Sequence, residues 1–261
     1  MYRAGKKTAK FADRIVLVTG ATSEVGREIA LAFSRQGADV VAAARDRSGI
    51  ENLGSEIRAE GGFLTGFVLD PSVPEDVALL VKETTRRFGR IDILVNNAGI
   101  VCGSRSIEEI TPEEWDEVTG RPLRTVFLCS RAASAVMQGQ SGGTIVNVAI
   151  HISFRTSRFG GPHNAAAKAG VIGFTRQAAK ELSSHRIRLR AVGISLVHGN
   201  PGNGALWDYY HEDDLEKFAN DVPSGRLMSG KDAAYAVLAL AGGTPDRFEG
   251  GAGMLGVGWG I

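Results

Sequence analysis

The sequence predicts an α/β domain built on a parallel sheet, and three observations predict it. Short β-rich runs alternate with longer segments of helical spacing, helix start signals fall between them, and no linker, repeat or low-complexity block interrupts the series. At 261 residues the chain can bury a substantial core in one large α/β domain. Its 43% hydrophobic and 23% charged residues are those of an ordinary globular protein and argue against a disordered chain.

The strands are read at "RIVLVTG" (14–20), "ADVVAAAR" (38–45), "GFLTGFVLD" (62–70), "RIDILVNN" (90–97), "GGTIVNVAI" (142–150) and "RIRLRAVGI" (186–194). Helical spacing covers 24–36, 48–60, 74–88, 112–136 and 163–184. Thr111-Pro112-Glu113-Glu114 is a start signal: a hydroxyl cap, proline at the first helical position, then carboxylates at the positive end of the dipole. Val171, Phe174, Ala178 and Leu182 form one apolar stripe. Pro122, beside Gly120, removes a donor inside a helical run, and a break is predicted near 119–122. The segment 198–224 interrupts the alternation and is expected near the carboxyl ends of the strands, where ligands bind in such sheets. Residues 1–11 read as a flexible tail and 12–261 as the domain.

Thirty Lys+Arg against 29 Asp+Glu leave a net charge of +1, which gives no electrostatic case for nucleic acid or a membrane surface. No apolar run approaches the roughly 20 residues of a membrane span, and the basic start lacks a signal peptide's apolar stretch. Cys102 and Cys129 form no disulfide framework, so a reducing cytoplasm is expected. The histidines and cysteines show no metal-ligand spacing.

The first strand runs into "TGATSEVGRE". Gly20 suits a tight turn, Gly26 lets the helix pack closely, and the amides around Thr22, Ser23 and Val25 face an anion. The second strand ends "AAARDR", with Arg45 where a ribose-binding acid would otherwise stand. A guanidinium fork suits a 2′-phosphate and favours NADP(H), while Asp46 beside it pulls the other way.

"TGATSEVG", "LD" (69–70), "NNAG" (96–99) and a helix-borne Lys168 together resemble the short-chain dehydrogenase/reductase (SDR) family. That resemblance implies a single Rossmann-type domain, a doubly wound seven-stranded parallel sheet with helices on both faces. It also implies a homodimer or homotetramer. Asp70 would meet the adenine, Asn96, Asn97, Ala98 and Gly99 would line the cofactor cleft, and Lys168 would bind the nicotinamide ribose. Glu24 departs from the pattern, standing where the family usually has glycine.

In that family, ketone reduction uses a tyrosine four residues before the lysine, a serine about thirteen residues earlier and an upstream asparagine. A hydroxyl activated by the ammonium delivers the proton, and a second hydroxyl holds the carbonyl oxygen. Here those positions hold Asn164, His151 (or Ile150 if the loop carries one extra residue) and Pro122, and Ile194-Ser195 replaces a later Pro-Gly. The departures cluster at the reacting end, while the nucleotide end is largely kept. Lys168, Asn164 and His151 are therefore the catalytic candidates; among the other histidines, His163 is expected to point away from whatever Asn164 faces.

The leading reading is an NADP(H)-binding oxidoreductase with a non-classical site acting on a small, natural-product-like molecule. Two alternatives stand beside it. One is a catalyst of the same fold without net hydride transfer: a cyclase, isomerase, dehydratase or lyase. The other is a non-catalytic partner subunit.

Overall fold

The computed structural model describes residues 9–97, 105–150, 161–194, 197, 226–242 and 252–257. Strand runs such as IVLVT and ILVN are buried at every position, so both faces of each strand are covered, as in a parallel sheet between helix layers. The chain forms β1 (Ile15–Thr19), α1 (Glu24–Arg35), β2 (Asp39–Ala44), α2 (Arg47–Ala59), β3 (Leu64–Val68), α3 (Pro74–Phe88) and β4 (Ile93–Asn96). It continues as α4 (Pro112–Gln138), β5 (Gly143–Ile150), α5 (Pro162–Leu182), β6 (Ile187–Ile194), α6 (Gly230–Ala241) and β7 (Ala252–Val257).

The strands lie in the order β3-β2-β1-β4-β5-β6-β7, every described pair parallel. Successive residues of one strand serve opposite faces. Val16 and Val18 pack with Ile29, Phe33, Val237 and Leu240 from α1 and α6. Ile15 and Leu17 join Leu80, Leu128 and Met137 from α3 and α4. Helices thus cover both faces. The strand order reverses between β1 and β4, the switch point at which ligands bind in open sheets.

The helices begin where their caps dictate. Ser23, Asp46, Thr111 and Ser229 each accept a first-turn amide, and Ser229 and Asp232 complete a reciprocal capping box. Prolines open α3, α4 and α5, where a missing N–H costs nothing.

The predicted break near 119–122 does not occur: α4 runs unbroken from Pro112 to Gln138, with Pro122 inside it. The local preference costs about 3 kcal/mol. It is overridden because Val118, Pro122, Val126 and Cys129 form one buried face, and a displaced second half would uncover it.

The flexible-tail expectation also needs correction at its end. Phe11 is buried, its ring meets Phe33 edge-on at 4.9 Å, and its N–H donates to the Gln36 carbonyl at 3.0 Å. Residues 9–11 therefore belong to the domain. Phe11→Ala should lower unfolding free energy by roughly 3 kcal/mol, the usual cost of emptying a buried aromatic site. Denaturant titration checks it, and an unchanged midpoint would contradict this packing.

Candidate active site

The turn after β1 is closed by contacts too tight for a side chain. Gly20 has φ +58, and a Cβ there would lie 2.1 Å from the Asn97 carbonyl oxygen. A Cβ on Gly26 would lie 2.1 Å from the Gly20 carbonyl oxygen. Asn97 ties the turn to the exit of β4: its side-chain amide donates to the Gly20 carbonyl at 3.1 Å and to Ser23 Oγ at 2.9 Å, and its N–H donates to Thr19 Oγ1 at 3.2 Å. Ser23 Oγ caps α1 through the Gly26 amide. Val25 packs on the core below, and Thr22 lies against Gly49 at the head of α2. Glu24 enters the first turn of α1, where a carboxylate suits the dipole. The α1 N-terminus is thereby fixed at the switch point with bare backbone around it, a cradle that fits an anionic phosphate.

At the exit of β2, Arg45 is exposed. Asp46 turns into α2, accepting from the Ser48 N–H (3.0 Å), Ser48 Oγ (2.8 Å) and the Gly49 N–H (3.1 Å). The Ser48 hydroxyl and these amides hold its carboxyl below the usual range.

At the exit of β3, Asp70 Oδ1 accepts from the Ser72 N–H (2.9 Å) and hydroxyl (2.7 Å), and Oδ2 accepts from Arg121 of α4. Burial pushes this carboxyl up, but the Ser72 donors and Arg121 outweigh it and hold it down. Sequence reasoning missed Arg121. Its one local signal is Glu117, a turn earlier, which takes the same guanidinium at 3.0 Å.

At the opposite end of the site, Asn164 and Lys168 lie one turn apart on the buried face of α5, 1% and 2% exposed. Desolvation lowers the Lys168 ammonium from 10.5 to about 8, into the range of a working acid or base. His163 is fully buried as well, its Nε2 3.4 Å from Glu114, whose same oxygen takes Arg105 at 3.0 Å. Beneath this end runs a chain of buried amides and hydroxyls. Asn96 donates to Ser130 (3.1 Å) and Asn147 (2.8 Å), and Asn147 donates to Thr175 (2.8 Å). It locks β4, β5, α4 and α5 together. The sequence signal for it is an asparagine, Asn147, inside an otherwise buried strand. Cys129 is inert, its thiol pushed up to about 12 by burial.

Of the residues singled out from sequence, Gly20, Thr22, Ser23, Val25, Gly26 and Asn97 come together at one turn, Arg45 and Asp70 lie at the neighbouring strand exits, and Asn164 and Lys168 share a face. His151, Ala98 and Gly99 fall outside the described residues, as does the segment 198–224. Among the described residues no group of histidines, cysteines and carboxylates could hold a metal, and no helix is long and apolar enough to cross a membrane.

Known proteins resemble this chain in sequence and fold. The family model described as short chain dehydrogenase matches residues 14–203. The chain is 34% identical over 229 residues to (2S)-[(R)-hydroxy(phenyl)methyl]succinyl-CoA dehydrogenase subunit BbsD of Thauera aromatica, covering 88% of this chain and 89% of that one. It is 32% identical over 231 residues to 3-oxoacyl-[acyl-carrier-protein] reductase FabG of Thermotoga maritima, covering 87% and 90%. A xylitol dehydrogenase solved with NAD+ bound superposes with a TM-score of 0.85 over 96% of this chain and all of that one; at 23% identity this is a likeness of fold. With its glycine turn at the switch point and its helix-borne lysine, this chain belongs to the short-chain dehydrogenase/reductase family of oxidoreductases.

Proposed function

We propose that the protein is an NADP(H)-dependent oxidoreductase whose proton-transfer group is Lys168 rather than a tyrosine. One observation carries this reading: a lysine buried on α5 with its pKa brought to about 8, one turn from a buried asparagine at the tyrosine's place. When bound, the nicotinamide supplies or accepts the hydride. The charge that grows on the substrate oxygen falls to the protein. The Lys168 ammonium neutralises it and gives up a proton, and the Asn164 carboxamide donates a hydrogen bond to the same oxygen. His151, which directly follows β5 in sequence, is a further candidate for the proton path.

The cofactor preference follows from the β2 exit. Asp46 is engaged by the head of α2, so the carboxylate beside Arg45 is drawn away from a ribose, and Arg45 is left exposed to meet a 2′-phosphate. The substrate is a small molecule whose carbonyl, iminium or activated alkene is reduced without help from a tyrosine hydroxyl.

Titration with NADPH and NADH tests the cofactor. NADPH should bind more tightly, and Arg45→Ala should weaken NADPH about tenfold while leaving NADH nearly unchanged. No binding of either dinucleotide at millimolar concentration would reject the reading, and turnover without change in nicotinamide absorbance would favour a non-redox catalyst.

The pH profile tests Lys168. Reduction needs the ammonium, so kcat should fall as pH rises through about 8, and oxidation should rise over the same interval. A profile flat from pH 7 to 9 would remove Lys168 from the proton path.

Burial also makes Lys168 a destabilising residue. Between about pH 8 and 10.5 the unfolded chain binds the proton that the folded chain has lost, so stability rises with pH there; below about 8 the penalty is fully present. Lys168→Met should therefore abolish turnover yet raise unfolding free energy at pH 7 by roughly 2 kcal/mol, with the gap closing toward pH 10.5. Thermal melts across pH check both signs.

A further inference from the structure

The exit of β3 is gripped from across the sheet by α4. Leu69 donates its N–H to the Ala44 carbonyl at 2.9 Å, which puts Asp70 beside the β2 exit, one strand beyond Arg45 and two beyond the α1 turn. Strands lie about 4.8 Å apart. A ligand with a phosphate on the α1 turn and a sugar passing β2 therefore carries its base toward Asp70. Four contacts fix the loop there. Asp76 accepts from the Asp70 N–H at 2.8 Å, Arg124 donates to the Ser72 carbonyl at 3.0 Å, Cys129 reaches the Pro71 carbonyl, and Arg121 holds the Asp70 carboxylate.

Arg121 is itself held from two sides. One terminal nitrogen meets Asp70 and the other meets Glu117 at 3.0 Å, so the plane of the guanidinium is set. An ionised carboxylate offers about four lone-pair positions and no donor. Among the described residues Ser72 occupies two of them on Oδ1 and Arg121 one on Oδ2, which leaves a single acceptor, on Oδ2. A lone acceptor suits an N–H of an exocyclic amine. A carbonyl in that place would set lone pair against lone pair.

We infer that Arg121 is a positioning residue for base recognition: it fixes the Asp70 carboxylate with one acceptor turned to an amine, so that the site selects an amino-purine over an oxo-purine. This rests on the dinucleotide reading proposed above. It also separates Arg121 from a general attraction of cations for phosphates, which every base would share.

The test uses the full chain and two probes, NADPH and its hypoxanthine counterpart, in which a carbonyl replaces the adenine amine. The wild-type protein should prefer NADPH by at least about tenfold, the scale of one charged hydrogen bond gained against an unfavourable pairing. Arg121→Met should reduce that preference to about twofold by weakening NADPH alone. Arg121→Lys should not restore it, because one ammonium cannot span both carboxylates. If Arg121→Met does not fold, Glu117→Gln, at an exposed position, loosens the guanidinium and should lower the preference in part. Equal weakening of both probes, or a preference untouched by these variants, overturns the assignment while leaving cofactor binding intact. Wild-type protein that binds neither probe overturns the dinucleotide reading, and the role of Arg121 with it.

Discussion

Everything at the carboxyl edge of the sheet depends on one approach of backbone to backbone. The turn after β1 touches the exit of β4 at Gly20 and folds back on itself at Gly26, and a methyl group at either place would overlap a carbonyl oxygen. Because the contact is that close, Asn97 can reach both the turn and the cap of α1 with short hydrogen bonds. The helix terminus, the strand exit and the switch point of the sheet become one rigid body. The exits of β2 and β3, where Arg45 and Asp70 stand, are referred to it through the ladder, so the spacing of these three strand exits follows from two missing side chains.

The two ends of the site differ in how their polar groups are treated. At the exits of β1, β2 and β3 Ser23, Asp46 and Asp70 each accept hydrogen bonds, and the carboxylates of Asp46 and Asp70 are held ionised by them. On the buried face of α5 a cationic side chain lies in low dielectric, with its charge disfavoured rather than welcomed. Binding sites gain from groups already satisfied, whereas proton transfer gains from groups held near the balance point between their two states. Family membership fixes the scaffold, whereas what is done on it has to be argued from the residues of the site.

Most of the fold was legible because its signals are local. Strand composition, capping hydroxyls and helix-opening prolines act within a few residues, and they located β1 to β6 and the described helices from α1 to α5. The pairing of Asn164 with Lys168 on one face followed from helical period alone. What escaped was decided at a distance. Phe11 carries no period of its own, and the partner ring 22 positions on helps to make it core. Pro122 obeys a packing demand that outweighs its local preference. Arg121 meets Asp70 across 51 positions, and the rung from Ser130 through Asn96 and Asn147 to Thr175 joins four elements that no window of sequence brings together.

The strand order also bears on how the chain can be assembled as it is made. Once β1 to β3 have paired, each later strand joins at an exposed edge: β4 beside β1, then β5, β6 and β7 outward in turn. Among the described strands none has to be threaded between two that are already bonded. Growth on that side proceeds in the direction of synthesis, and the longest wait belongs to β1, whose open edge stays bare until β4 has emerged. The same edge carries the glycine turn, so the contact of Gly20 with Asn97 is completed by the pairing that closes it.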